Sequence, residues 1–464
     1  MLKRNILITL FLIVITLYLS TIKVDTCSYY TICVITVADI LFLFYMLWCH
    51  TRISVTNPIL WFWSINVIFS LGQNLAYLFI ADQELIRTDL LYGLYYSSKD
   101  MCKGTIYTLQ CLNLFTLGLI GEKYQSINLN NQCKDLLLIE NEEPYLKATY
   151  YLGTGLLIVS IVPQIIYLFT EVKIYFTQGY GYTSADQLSG LTLRLHYLFM
   201  PALIMRICSM HFLNKKSVFE TIIILFQVCI FLIIGDRGLG LSLLSTYIWI
   251  KAVTDKEFHI RKYIVPVAFL ILAIPIIKYY RIAYTENASS PLTSAIIYAM
   301  RNNPIIDILL EMGGSQRILI MTMKKTEVTG LAYGRAYLDF FIKMIPGVLG
   351  IKQNYGTLAK WVINTTGYQT KGFSIWAEAY LNFGYAGIMF MYVLGCMFRY
   401  LFSFQGKLYC MDLIKIAISL SFFADIARRS VAEYGYIFAY DLIMPLLLIR
   451  IIANFLKYRR THYG

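Results

Sequence analysis

Residues 218–253 read VFETIIILFQVCIFLIIGDRGLGLSLLSTYIWIKAV. Two apolar runs flank a Gly-Asp-Arg-Gly turn at 235–238. A bilayer span takes about 20 mostly apolar residues, so this stretch predicts two membrane helices joined by a tight, charged turn. The same pattern extends in both directions. Of 464 residues, 58% are hydrophobic and 14% are charged, with mean hydropathy +0.60. A soluble domain carries about 25% charged residues, so a soluble fold is excluded. The fold class is an all-α polytopic membrane protein with about twelve transmembrane helices. They are expected near 5–22, 29–49, 58–80, 102–121, 147–170, 191–213, 218–235, 238–253, 263–279, 383–403, 412–430 and 436–456. Residues 1–464 make one membrane domain. The opening MLKRN precedes an apolar run with no small-residue cleavage site, which predicts an uncleaved first helix.

Lys and Arg in short loops orient the spans. With Lys3 and Arg4 inside, alternation also puts Arg52, Lys215, Arg261, Lys262, Lys407 and Lys457 inside. Both termini are then cytoplasmic, and 122–146 becomes a cytoplasmic loop. Outside lie 81–101, 171–190 and a segment of about a hundred residues, 280–382. A structureless loop of that length is unusual. The apolar periodicity of SAIIYAMRNNPIIDILLEM and AYLDFFIKMIPGVLG predicts short amphipathic helices at the membrane surface. The net charge of +13 follows from orienting loops plus an external basic excess, so no nucleic-acid partner is implied. Ten cysteines include no CxxC or Cys/His metal spacing. Cys27 and Cys102 both face outside, where pairing is open to them.

Six strings carry chemistry. In GDRG, Arg237 offers a guanidinium fork suited to phosphate oxygens. The bland alternative is that Asp236 and Arg237 cap a hairpin and neutralise each other. In GGSQR (313–317), paired glycines free the backbone, and Ser, Gln and Arg317 supply donors for an oxyanion; a helix-breaking turn explains it equally. In AYGRAYLDFFIKMIPG (332–347), Asp339 and Lys343 read as an exposed face, while Arg335 stays undecided. In FSIWAEAYLNFGYAG (373–387), Glu378 sits among Trp376 and Tyr380. A carboxylate in a water-poor site keeps its proton to higher pH and can act as a general base. An interfacial aromatic belt is the alternative. In ADIARRSVAEYGY (424–436), Arg428 and Arg429 stand on the outer side against the positive-inside trend. On a continuous helix Arg429, Glu433 and Tyr436 share one face. In LTLRLHYLFMP (191–201), His196 is a reserve base, or a hydrogen-bonded structural residue.

GDRG, GGSQR, YGRAYLDFFIKMIPG and AEAYLNFGYAG occur in that order. This resembles the O-antigen polysaccharide polymerase (Wzy) family, also called oligosaccharide repeat-unit polymerases. The motifs cover roughly 220–400, and the topology covers the whole chain. The resemblance implies a fold related to the C-type (GT-C) membrane glycosyltransferases. It implies a donor glycan and an acceptor repeat unit, both on undecaprenyl diphosphate in the bilayer. The growing glycan moves onto the new unit at the outer face of the bacterial inner membrane, with no cofactor, no metal and no nucleotide sugar. A polysaccharide chain-length regulator is a candidate partner. On this reading Arg237 and Arg317 bind the diphosphate with Arg428 or Arg429, Asp236, Arg335, Trp376 and Tyr380 line the substrate site, and Glu378 or His196 is the base. The related ligases are thought to use a histidine in the external loop. No histidine lies within 260–461 here, which counts against an O-antigen ligase. A flippase or transporter of the same lipid needs charge along several spans rather than a large insertion. A channel is prompted only by GYGYT at 179–183, which is not a TVGYG filter.

Overall fold

The computed structural model describes residues 2–24, 27–51, 57–79, 97–120, 142–178, 190–213, 217–255, 290–301, 303–345, 358–366, 372–404 and 408–463, together with 188, 215, 259, 275–277, 279, 280 and 283. Among them the secondary structure is helical, with no strand. The helices are α1 Leu2–Thr21, α2 Tyr29–Thr51, α3 Pro58–Tyr77, α4 Ser98–Leu119, α5 Glu143–Gln178, α6 Gly190–Tyr197, α7 Phe199–Phe212, α8 Val218–Ile233 and α9 Arg237–Thr254. Then follow α10 Pro291–Arg301, α11 Pro304–Met312, α12 Ser315–Thr329, α13 Arg335–Met344, α14 Leu358–Thr366, α15 Ile375–Phe383, α16 Gly387–Phe402, α17 Cys410–Phe423 and α18 Met444–Tyr463.

Six described segments are long and apolar enough to cross a membrane: Tyr29–Cys49, Pro58–Tyr77, Glu143–Thr177, Gly190–Phe212, Ile375–Phe402 and Ile437–Arg459. Of the other spans expected from sequence, 5–22 coincides with α1 and most of 263–279 lies outside the described residues, while those at 102–121, 218–235, 238–253 and 412–430 fall on helices that are shorter or more polar. The reason is visible in α4, where Thr105, Thr108, Gln110, Asn113 and Thr116 are all buried. This helix is enclosed by protein and packs against α1, α2, α3, α12 and α16. The side chains of Thr105, Thr108, Gln110 and Thr116 pair internally, as with Trp63 Nε1 donating to Thr116 Oγ1 at 2.9 Å. Toward the outside, α5 and α8 present Ile158, Val162, Ile165, Phe169, Ile222 and Phe226, all exposed, as lipid contact requires.

Helix starts follow local chemistry. Asn57 caps α3 by accepting from Ile59 N at 3.0 Å, with Pro58 in the first turn. Ser97 and Asp100 form a reciprocal capping box on α4. Asn303 and Pro304 repeat the α3 arrangement on α11. One helix exceeds its expected length. The span expected at 147–170 is a single 36-residue helix, α5, running on to Gln178, so 171–178 is helix and not loop. Segment 81–96 and the GYGYT string at 179–183 lie outside the described residues, as do 122–141. Cys27 and Cys102 are neighbours, with Cys102 Sγ 4.0 Å from the Cys27 carbonyl, and both are free thiols.

Segment 280–382 contributes α10 to α14 and the start of α15. Here the chain does more than lie at a surface, because α11 packs along α3 while α12 packs against α15 and α4. Close approach is built into the sequence. A Cβ on Gly72 would stand 2.5 Å from the Leu309 carbonyl oxygen, and one on Gly313 would collide with the Gln73 backbone. Gly118 and Gly395 make the same kind of backbone contact between α4 and α16.

Candidate active site

The i, i+4, i+7 spacing in ADIARRSVAEYGY puts Arg429, Glu433 and Tyr436 on one helix face, and the structure corrects this. Helix α17 ends at Phe423. A 3-10 turn covers Ile426–Arg428, Arg429 and Ser430 are extended, and a second 3-10 turn covers Val431–Tyr434. A π-helix, Ile437–Ile443, then leads into α18. Arg429, Glu433 and Tyr436 therefore do not share a helix face. The cause is that this backbone finds partners outside itself. Asn66 of α3 donates to Ala424 O at 2.9 Å and accepts from Ala427 N at 2.8 Å. Phe373 N donates to Arg428 O at 3.0 Å. The Glu378 carboxylate accepts from Val431 N and, at 3.0 Å, from Ala432 N. Buried main-chain groups must be paired, and here side chains of α3 and α15 replace the helix ladder. Asn66 drew no attention in the sequence, where it reads as one polar residue in an apolar span.

This clamped loop presents charge. Arg429 Nε donates to Asp425 Oδ2 at 2.9 Å, and its guanidinium lies 3.6 Å from Asp236 Oδ1. Arg428 stands over the Phe69 ring, 5.2 Å from its centroid. Both arginines are half-buried. Asp236 also caps α9 by accepting from Leu239 N at 3.4 Å. Next to it, Arg237 is only 4% exposed and forms an ion pair with Glu311 of α11. A Cβ on Gly238 would collide with the Asp425 carboxylate, so the last glycine of GDRG is what lets the two segments meet.

GGSQR meets the same place from the other side. Ser315 Oγ donates to Phe69 O, and Gln316 Nε2 donates to Thr105 Oγ1 at 2.5 Å. Those donors are directed at the protein's own α3 and α4. Arg317 lies half-buried in the first turn of α12.

Around Glu378 the surroundings are close-packed. Glu378 is 0% exposed, and Trp376 is buried with Nε1 donating to Ser70 Oγ at 2.7 Å. Tyr380 is half-buried, edge-on to Tyr107 at 5.2 Å. Helix α13 docks beside them. Asn382 accepts from Ala336 N at 3.1 Å, and Gly435 passes so close to the Phe340 carbonyl that a side chain there would collide with it. Arg335, at the start of α13, is exposed, whereas Asp339 is fully buried, so Asp339 is not on a solvated face. Lys343 is half-buried; burial pulls its amine below the usual lysine value, opposed by the carboxylates of Glu433, Asp339 and Glu378. Burial raises Glu433 above the usual carboxylate range, opposed by Lys343, Arg429 and the amide of Leu358.

His196 is 7% exposed and stacks on Tyr167 with centroids 3.9 Å apart. Its Nδ1 lies 3.3 Å from Gln164 Oε1, and its Nε2 has no hydrogen-bond partner among the described residues. Two residues earlier, Arg194 lies over the Tyr436 ring at 4.0 Å.

The structure thus unites GDRG, GGSQR, the α13 string, the Glu378 string and the 424–436 loop, with the α6 string at the margin. Sequence reasoning missed Asn66 and Glu311, and passed over Lys343 and Asp339 as exposed. Among the described residues, no three His, Cys, Asp or Glu side chains stand together as a metal site. A family model described as O-antigen polysaccharide polymerase Wzy matches residues 4–460. No curated protein and no solved structure matches the chain.

Proposed function

We propose that this chain, a member of the O-antigen polysaccharide polymerase Wzy family, runs its reaction at the clamped loop 424–435. It is a multi-pass membrane protein that polymerises lipid-linked oligosaccharide repeat units. The finer reading concerns carrier, side and chemistry. Donor and acceptor are carried on undecaprenyl diphosphate, the site faces the outer side of the inner membrane, and the architecture is of the GT-C kind. The acceptor sugar hydroxyl attacks the anomeric carbon of the growing glycan. A new glycosidic C–O bond forms, the C–O bond to the diphosphate breaks, and the bonding pair leaves with undecaprenyl diphosphate. The hydroxyl proton passes to a base on the opposite side, the two-sided logic of inverting glycosyl transfer. The protein's own cations supply the charge stabilisation that a diphosphate leaving group needs.

One observation carries this reading. Arg428 and Arg429 are held half-buried on a loop whose main chain is pinned by Asn66, Phe373 and Glu378. Donors fixed before the charge develops need no reorganisation when it does. We assign Arg428 and Arg429 to the diphosphate. Arg317, half-buried in the first turn of α12, is also assigned to the diphosphate. Exposed Arg335 and half-buried Tyr380 are assigned to the glycan. Arg237, ion-paired with Glu311, fixes α9 against α11, with Asp236 orienting Arg429. Trp376 and Glu378 hold the scaffold, and His196 supports α6 against α5.

The test is reconstitution of purified protein with lipid-linked repeat units from its own host. A product ladder from wild type is expected, with Arg428→Ala folding normally but losing the ladder, and Arg429→Lys, which keeps a charge beside buried Asp425, folding normally but weakening it. No ladder from wild type on authentic substrate overturns the reading in favour of transport or ligation. Normal ladders from both variants would move the diphosphate site elsewhere.

A further inference from the structure

We infer that Glu433 is the general base that takes the proton from the acceptor hydroxyl, an assignment that rests on the glycosyl-transfer reading above. Among the acidic groups gathered here, most are already committed. Both Glu378 oxygens accept main-chain amides, and the residue is fully buried. Asp425 is 1% exposed and bonds Arg429. Asp236 caps α9 and faces Arg429. Glu311 is the partner of Arg237. Asp339 and Asp441 have no exposed surface at all. Glu433 also accepts the Leu358 amide, but it is only half-buried, so a substrate hydroxyl can reach it.

Its placement suits the task. Glu433 rides on the 3-10 turn Val431–Tyr434, whose first amides are gripped by Glu378. It is four residues from Arg429 on the same rigid segment, so a base and a phosphate-binding cation are fixed relative to each other. The groups facing it come from every neighbouring element. They are Lys343 of α13, Glu378 of α15, Tyr197 of α6, the Leu358 amide of α14, and Arg429 and Tyr434 of its own loop. Burial lifts its proton affinity toward the working pH while Lys343 and Arg429 restrain it. A base is most effective when its proton affinity lies near the operating pH.

The test is the pH–rate profile of polymerisation on lipid-linked repeat units, for wild type, Glu433→Gln, Glu433→Asp and Lys343→Met. The wild-type rate should rise through an acid limb above the ordinary carboxylate range. Glu433→Gln should lose about a hundredfold or more and lose that limb, while still binding the lipid-linked donor. Glu433→Asp should retain part of the rate. Removing the Lys343 charge takes away an influence that lowers the Glu433 proton affinity, so the limb should move to higher pH. Lys343 also faces the Glu378 carboxylate, so the shift counts for Glu433 only together with a displaced limb in Glu433→Asp, the conservative variant that keeps the assignment open to refutation if Glu433→Gln fails to fold. A Glu433→Gln rate near wild type, or a limb unmoved in Lys343→Met, overturns the assignment while leaving the polymerase reading intact. Absence of any wild-type ladder removes both.

Discussion

Asn66 joins the two ends of one short turn, using its amide nitrogen on Ala424 O and its amide oxygen on Ala427 N. Truncation leaves both main-chain groups buried and unpaired, at a cost of about 1–3 kcal/mol each. Asn66→Ala should therefore lower the melting temperature in detergent and depress polymerisation. Asn66→Asp should also fail, since a carboxylate cannot donate to Ala424 O. The Arg237–Glu311 pair makes a second, separable case. Removing one partner of a buried ion pair costs about 3–5 kcal/mol, while replacing both with apolar groups is often neutral. Glu311 keeps 20% exposure, which reduces the penalty. Arg237→Met should lower the melting temperature, and Arg237→Met with Glu311→Met should recover most of the loss. Recovery of polymerisation in that double variant would mark Arg237 as a pin; a stable but inactive double variant would return it to the substrate site. At this scale the sequence was a partial guide. Charged residues against the topological trend, such as Arg428 and Arg429, could be found because their oddity is local. Glu378 stood out for the same reason, yet nothing local reveals that its oxygens would be taken by Val431 and Ala432.

At the scale of elements, length and hydropathy are properties of a single segment, so α2, α3, α5 and the last span are legible directly. Polar, buried α4 was found, but only its neighbours explain its Thr, Asn and Gln residues. The spacing of Arg429, Glu433 and Tyr436 reads as a helix face, while the departure from helix after α17 depends on Asn66 and Phe373, far away in sequence. The first of the paired glycines of GGSQR, Gly313, is explained by packing. An alanine at Gly313 would meet the Gln73 backbone, and overpacking of this kind costs about 1–3 kcal/mol or more. Gly313→Ala should weaken the α3–α11 contact, seen as a lowered melting temperature and faster proteolysis of segment 290–345. Gly314, whose Cβ would find only the Glu311 carbonyl at 3.6 Å, should tolerate the same change.

At the scale of the molecule, the proposed orientation comes from the basic loops, since packing alone gives none. If both termini and Lys215 are cytoplasmic, cysteine probes at Lys215 should be protected from a membrane-impermeant thiol reagent, and probes at Tyr333 or Val328, both strongly exposed, should be labelled from outside in intact cells. The reverse labelling would invert the topology and place the clamped loop on the wrong side for periplasmic polymerisation.

The close backbone contacts of Gly118 with Tyr392 and of Gly395 with Phe115 carry one more consequence. Helices locked main chain to main chain cannot slide past each other, so the scaffold around the loop works as an anvil rather than a jaw. Both reactants are tethered to lipid, and it falls to them to do the travelling. If they reach the loop by diffusing in the leaflet, throughput should track the viscosity of the surrounding bilayer more closely than any opening motion of the protein.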